Sequence, residues 1–143
     1  MKFFIINGPN LNLLGVREPE LYGNETLLDI EEWLKNHKES EGHSFLWFQS
    51  NQEGEIIDCI HSTVNKADGI IINPGALTHY SYALRDAIEA VITPTVEVHL
   101  SDIHSREDFR KTSVIKDVCI DQIFGLGKKS YLEGLKRLLA ILN

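Results

Sequence analysis

Two short runs, Phe3-Phe4-Ile5-Ile6 and Gly69-Ile70-Ile71-Ile72, contain no polar side chain at any alternate position. A strand with one wet face alternates apolar and polar residues. A solid apolar run of this length reads as a strand covered on both faces. Such strands belong to parallel sheets, whose successive members are joined by crossover helices. The segments around them agree with that reading. Thr26 with Asp29 resembles a capping box opening a first helix, with Leu27, Ile30 and Leu34 at helical spacing and Trp33 beside them, and Glu41-Gly42 ending it. Residues 44–49 form a second strand. A second helix starts near Glu53, with Ile56, Ile57, Ile60 and Val64 on one face. The run 69–73 is broken by Pro74-Gly75, and a third helix, opened by His79, carries Leu84, Ala87, Ile88 and Val91. Residues 95–100 make a fourth strand. Residues 101–114 are polar and loop-like with one helical turn near Glu107, and 118–124 make a fifth strand. A last helix from Gly127 sets Tyr131, Leu135, Leu138 and Leu142 on one side.

Five alternations of strand and helix predict right-handed βαβ units. At 143 residues the natural architecture is an α/β, flavodoxin-like doubly wound five-stranded parallel sheet of order 2-1-3-4-5, forming a single domain over residues 1–143. In such sheets ligands bind at the carboxyl ends of the strands, near the switch point between strands one and three. Three of those ends are rich in hydrogen-bonding groups: Asn7-Gly8-Pro9-Asn10, Asn73-Pro74-Gly75-Ala76-Leu77-Thr78-His79 and His99-Leu100-Ser101. The connection after strand one, Asn7 to Gly23, is longer than a dozen residues, where about two to six are usual. Loops of that length in compact units are commonly lids or binding loops. This one has Leu11, Leu13, Leu14, Val16 and Leu21 as apolar anchors, Gly15 and Gly23 as hinges, and Asn10, Arg17 and Tyr22 as chemically competent groups. It is read as a lid over residues 11–22.

Composition narrows the function. A net charge of −7 without a basic run argues against nucleic acid as a partner. Two distant cysteines, Cys59 and Cys119, read as buried thiols of a reducing compartment. No apolar run reaches the ~20 residues of a membrane span, and the N-terminus lacks a leader pattern, so a cytoplasmic protein is expected. No dinucleotide fingerprint or P-loop follows strand one, and no histidines have zinc spacing with a third ligand; no metal or cofactor is expected. Ser81 and Ser101 lack the context of an activated nucleophile. What remains, Tyr22, Arg17, His79, His99 and several Asn and Ser groups, suits proton transfer with a stabilised oxyanion. Glu97, two residues before His99 on one strand, shares its face and can orient and charge the imidazole. His79 is placed to bond an anion at a helix N-terminus, with a helix cap as its plain alternative. Arg110 lies in a cluster with Arg106 and Lys111 that could equally be a solvated face. Asp86 on the third helix reads as a supporting or intersubunit partner.

Taken together, Ile6-Asn7-Gly8-Pro9-Asn10-Leu11-Asn12-Leu13-Leu14-Gly15, Arg17-Glu18-Pro19, Tyr22-Gly23, Gln49-Ser50-Asn51, Asn73-Pro74-Gly75-Ala76 with Thr78-His79, Leu84-Arg85-Asp86-Ala87 and Glu97-Val98-His99-Leu100-Ser101 resemble the type II 3-dehydroquinate dehydratases across essentially the whole chain and in family order. The resemblance implies a flavodoxin-like fold and a dodecamer built as a tetramer of trimers. It implies dehydration of 3-dehydroquinate to 3-dehydroshikimate through an enolate, without a cofactor, in the shikimate pathway of aromatic amino-acid biosynthesis. By the same resemblance Tyr22 matches the general base, Arg17 the lid arginine that favours the phenolate, and Asn10 the residue holding the water that stabilises the enolate. His99, supported by Glu97, matches the general acid. Asn73, His79, Asp86, Leu100, Ser101 and Arg110 match substrate-binding positions. Asp102, Ser105, Tyr80, Tyr82 and Lys128-Lys129-Ser130 depart from the pattern that the resemblance sets, and Asp102 is expected to alter the charge beside Ser101. The alternative of a different class is a non-catalytic flavodoxin-like module binding flavin or a phosphorylated ligand, which would have no need of Tyr22. A receiver-type signalling domain would want acidic residues where strand one ends in asparagines.

Overall fold

The computed structural model describes every residue of the chain except Tyr22. Five parallel strands, β1 (Lys2–Asn7), β2 (Ser44–Gln49), β3 (Gly69–Asn73), β4 (Thr95–Val98) and β5 (Asp121–Ile123), form one sheet in the order β2-β1-β3-β4-β5. This is the order expected from the alternation of elements. A one-turn helix α1 (Pro19–Tyr22) is followed by α2 (Leu27–Lys35), α3 (Glu53–His61), α4 (Tyr82–Val91) and α5 (Lys129–Leu142).

The solid apolar strands divide their side chains between two cores. Phe3 and Ile5 of β1, with Ile71, Val96 and Val98, face α2 and α5 through Ile30, Leu34, Leu135 and Leu138. Phe4 and Ile6, with Ile70 and Ile72, face α3 and α4 through Ile56, Ile60, Leu84 and Ile88. The period of two along each strand thus feeds both layers, which is why the interiors of β1 and β3, residues 3–6 and 70–72, are apolar throughout. Among the described residues, no helix is long and apolar enough to cross a membrane.

Several boundaries differ from the sequence reading. The capping box is formed: Thr26 Oγ1 accepts from Asp29 N at 3.1 Å and Asp29 Oδ2 from Thr26 N at 2.9 Å. But α2 stops at Lys35 rather than at Gly42, because the Ser40 hydroxyl donates to the Leu34 carbonyl at 2.6 Å and turns the chain into a 3₁₀ segment, Lys38–Ser40. Helix α3 ends at His61, so Val64 lies beyond it and is exposed, and Thr63 is buried in its place. His79 closes a 3₁₀ turn, Gly75–His79, and does not open α4, whose N-cap is Ser81, accepting from Leu84 N at 3.0 Å. Strand β4 ends at Val98 because its neighbour β3 has already turned away at Pro74; His99 still donates its N–H to the Ile123 carbonyl at 2.8 Å. Strand β5 is only three residues long, since Lys116–Val118 is a 3₁₀ turn. The polar stretch 101–114 holds two such turns, Ile103–Ser105 and Asp108–Lys111. Cys59 is buried and Cys119 half-buried, and both are free thiols.

Candidate active site

The carboxyl ends of β1, β3 and β4 meet at one opening, as the strand order requires. The approach of the first two is very close. Gly8 donates its N–H to the Asn73 carbonyl at 2.8 Å, and a Cβ at Gly8 would stand 2.3 Å from the Pro74 carbonyl oxygen. Only glycine fits there. Next to it a cavity of about 230 Å³ is lined by residues of four segments: Pro9, Asn10, Leu11 and Arg17; Asn73, Gly75, Ala76 and His79; His99, Leu100 and Ser101; Ile103, Arg106 and Arg110.

Behind the cavity wall Glu97 has no exposed surface, and His99 has almost none. His99 Nε2 lies 2.6 Å from Glu97 Oε1. The same carboxylate accepts from the Thr78 hydroxyl on Oε1 and from the Ser113 hydroxyl at 2.9 Å on Oε2. Burial alone would push the Glu97 carboxyl up. The hydrogen bond and charge of His99 and the Thr78 and Ser113 hydroxyls outweigh that and hold it below the usual carboxylate range. The expected orienting role of Glu97 thus has the required geometry. His79 donates Nδ1–H to the Thr112 carbonyl, 2.7 Å away; burial, the nearby His99 and Arg110 lower its pKa although that hydrogen bond opposes them. A neutral His79 in this tautomer keeps a lone pair on Nε2.

Asn73 is set by α5. Its Nδ2 donates to the wholly buried Tyr131 hydroxyl at 3.1 Å, and that hydroxyl donates in turn to Asn7 Oδ1 at 2.6 Å. Asn10 has a left-handed backbone, φ 70°, and its N–H is taken by Asn51 Oδ1 at 2.9 Å, so the end of β2 buttresses the start of the long connection. Of the five apolar residues read as anchors in that connection, Leu11 and Leu14 are buried, while Leu13, Val16 and Leu21 face solvent and are not anchors. Gly15 and Gly23, read as hinges, both have positive φ. Glu18 Oε2 lies 3.9 Å from Arg106.

Of the residues singled out from the sequence, Asn10, Arg17, Asn73, His79, His99, Leu100, Ser101 and Arg110 line this cavity, and Glu97 stands directly behind it. Asp86 does not; it is exposed on α4 and away from the cavity lining. Tyr22 lies outside the described residues. Arg106, noted only as a member of a basic cluster, also lines the cavity and donates to Ser101 Oγ at 3.4 Å. Thr78 and Ser113 gave no signal as partners of Glu97, because they are separated from it by 19 and 16 residues. Asp102 caps a turn by accepting from His104 N at 3.0 Å and is not among the residues lining the cavity, although its neighbours Ser101 and Ile103 are. Tyr80 and Tyr82 are surface residues, and Lys128 pairs with Glu25 at 2.9 Å.

Chemically, three guanidinium groups and two imidazoles surround the cavity of a chain whose net charge is −7. That arrangement suits a small anion, with a histidine hydrogen-bonded to a buried carboxylate in its lining. Among the described residues no three His, Cys, Asp or Glu side chains gather as a metal ion would need.

Comparison with known proteins agrees along the full length. The model of the family described as dehydroquinase class II matches residues 1–139. The 3-dehydroquinate dehydratase of Carboxydothermus hydrogenoformans is 53% identical over 143 residues, covering 100% of this chain and 93% of that protein. That of Caldicellulosiruptor saccharolyticus is 54% identical, covering 99% of each. The crystal structure of a type II dehydroquinase from Butyrivibrio crossotus superposes with a TM-score of 0.94 at 45% identity, covering 97% of each chain. With this sheet order, this cavity and these relatives, the chain belongs to the class II dehydroquinases.

Proposed function

We infer that the cavity at the β1, β3 and β4 ends is where 3-dehydroquinate loses water to give 3-dehydroshikimate. Family and relatives carry the reaction: the chain is a lyase that dehydrates 3-dehydroquinate, consistent with a place in the shikimate pathway. The observation that carries the residue assignment is the buried Glu97–His99 pair at the base of a cationic pocket. Removing a proton beside a ketone builds an enolate, and expelling a tertiary hydroxyl calls for an acid. Tyr22 takes the proton, with Arg17 favouring its phenolate. Asn10 holds the water that stabilises the enolate oxygen. His99, charged and oriented by Glu97, protonates the departing hydroxyl. Asn73, His79, Leu100, Ser101 and Arg110 hold the substrate and its carboxylate, and residues 11–22 act as a lid on the single domain.

Asp86 fits this scheme only through a second copy. Its exposure on α4, outside its own cavity, supports a contact with a neighbouring subunit's pocket in a tetramer of trimers. The working compartment in this reading is the cytoplasm.

The reaction is tested by following ultraviolet absorbance on mixing with 3-dehydroquinate, because the enone product absorbs and the substrate does not. Growth of that band supports the assignment, and no change overturns it. Sedimentation tests the assembly: a dodecamer is expected, and a stable monomer at micromolar concentration refutes it.

A further inference from the structure

We propose that Thr78 and Ser113 are positioning residues for the reaction: their hydroxyls hold Glu97 as an anion and so fix which nitrogen of His99 carries its standing proton and which one meets the substrate. The inference rests on the reading of His99 as the acid.

Three donors from separate parts of the chain converge on one carboxylate. Thr78 comes from the turn after β3, His99 from the end of β4 and Ser113 from the loop after Arg110. A hydroxyl has one proton to give. Thr78 gives its proton to Glu97 Oε1. Ser113 Oγ lies 2.9 Å from Oε2 and 3.1 Å from Oε1, while accepting from the N–H groups of Ile115 at 3.3 Å and Lys116 at 3.1 Å. With backbone donors on its lone pairs, the Ser113 proton can go only outward, to Glu97 or to the Thr78 oxygen 3.0 Å away. The Thr78 hydroxyl, the Ser113 hydroxyl and His99 all lie within hydrogen-bond reach of Glu97, and bonds of this kind favour its ionised form. The carboxylate is therefore acceptor-only.

That settles the imidazole. His99 Nε2, 2.6 Å from Oε1, must carry a hydrogen. Neutral His99 then keeps its lone pair on Nδ1, and the transferable proton of the imidazolium sits on Nδ1, the nitrogen not held by Glu97. Around this pair His79, Arg110, Arg106 and Arg17 line the cavity, and Glu97 is the carboxylate within hydrogen-bond reach of His99. Behind it, the Cys119 thiol is pushed well up by burial and by Glu97 itself, and stays neutral. Hydrogen bonds to the charged form favour that form. Without the two hydroxyls Glu97 takes a proton at higher pH, and His99 loses both anchor and counter-charge.

The test uses the full chain with ¹⁵N-labelled histidine, comparing wild type, Thr78→Val, Ser113→Ala, the double variant and Ser113→Thr. The expected wild-type spectrum shows neutral His99 as a single Nε2–H tautomer. In the double variant the tautomers mix and the acid limb of kcat/KM moves to higher pH. In the same variant kcat falls by up to roughly 100-fold, as for a misplaced catalytic group, with KM changing much less. Ser113→Thr retains the hydroxyl and the wild-type behaviour. Ser113→Ala also releases two backbone amides; if it fails to fold, Thr78→Val, whose hydroxyl accepts from no backbone amide in this site, decides the matter. A double variant, or Thr78→Val alone, that keeps the wild-type tautomer and acid limb overturns the proposal. His99→Ala separates the two ideas: full turnover there removes His99 as the acid whatever the spectra show, while lost turnover with unmoved spectra in the hydroxyl variants removes Thr78 and Ser113 alone.

Discussion

The cavity has two walls of opposite construction. The wall made by 73–79 and 97–101 is rooted in the core. Asn73, Thr78, Glu97, His99 and Ser101 are all buried, and the side chain of each is hydrogen-bonded to another side chain. The wall made by 10–21 is anchored in the core at its start and by surface contacts such as Glu18 with Arg106 further on. Leu11 and Leu14 pack into the core below α2, whereas Val16 is 79% exposed and the residues from Glu18 to Leu21 face solvent. Gly15 and Glu18 within this stretch and Gly23 just beyond it have positive φ. Buried, satisfied networks rigidify a site, and segments with few buried contacts open at low cost. The division teaches how one pocket can be both preorganised and accessible: its charged groups sit on buried, hydrogen-bonded elements, and the segment proposed as its lid is largely exposed.

The largest expected effect comes from the proposed lid. Tyr22→Phe keeps the ring and removes the proton acceptor, so kcat falls by roughly 10²–10⁴-fold with fold and assembly intact. Near wild-type turnover would assign the base to another group and leave the lid as a mere cover. Next in size is the point where the two constructions meet. Leu14→Ala removes a buried anchor and lowers stability by about 2–5 kcal/mol, while Val16→Ala two residues on changes it by no more than about 0.5 kcal/mol. Denaturant midpoints check this, and equal effects would erase the boundary drawn at Gly15. Smaller again is Arg17→Gln, which keeps hydrogen-bonding capacity and removes a cation able to lower a nearby pKa by about 1–3 units. The acid limb of the kcat profile moves to higher pH if Arg17 tunes Tyr22, and stays put if Arg17 only pairs with lid carboxylates.

The two walls also differed in how far the sequence revealed them. Strand order, the switch point and nearly all the cavity residues were legible, because solid apolar runs such as Ile70-Ile71-Ile72 leave a strand no alternative and their polar ends stand out against them. Glu97 and His99 were legible as a pair because the period of a strand puts them on one face. The partners of Glu97 were not: Ser113 reaches it through two short 3₁₀ turns whose course depends on tertiary contacts rather than on any repeat. Burial within the lid was not legible either. Five apolar residues looked alike there, and which two reach the core depends on the 3₁₀ turn Leu11–Leu13 that aims them. Asp86 was legible as a family position, yet its surroundings in one chain give it nothing to bind.

The smallest effect tests whether the rigid wall is held by neutral as well as by charged groups. His79 is folded with a lowered pKa, chiefly because burial disfavours its charged form, while its Nδ1–H is fixed on the Thr112 carbonyl. A free histidine titrates near 6.5, so between that value and the lower folded one the unfolded chain binds more protons than the folded chain. Stability therefore rises with pH through this window. The contribution is complete above the unfolded value and is lost as pH falls through the folded one. Glu97, also lowered, acts in the same direction but in the carboxylate range, so the two are separable. His79→Gln can still donate to Thr112 and cannot titrate. Thermal melts of the wild type should lose Tm between pH 7.5 and 5.5, and His79→Gln should lose less over the same interval while matching it below. Parallel curves would mean that His79 is hydrated enough to titrate as it does in the unfolded chain, and the rigid wall would then rest on Glu97 and its hydroxyl partners alone.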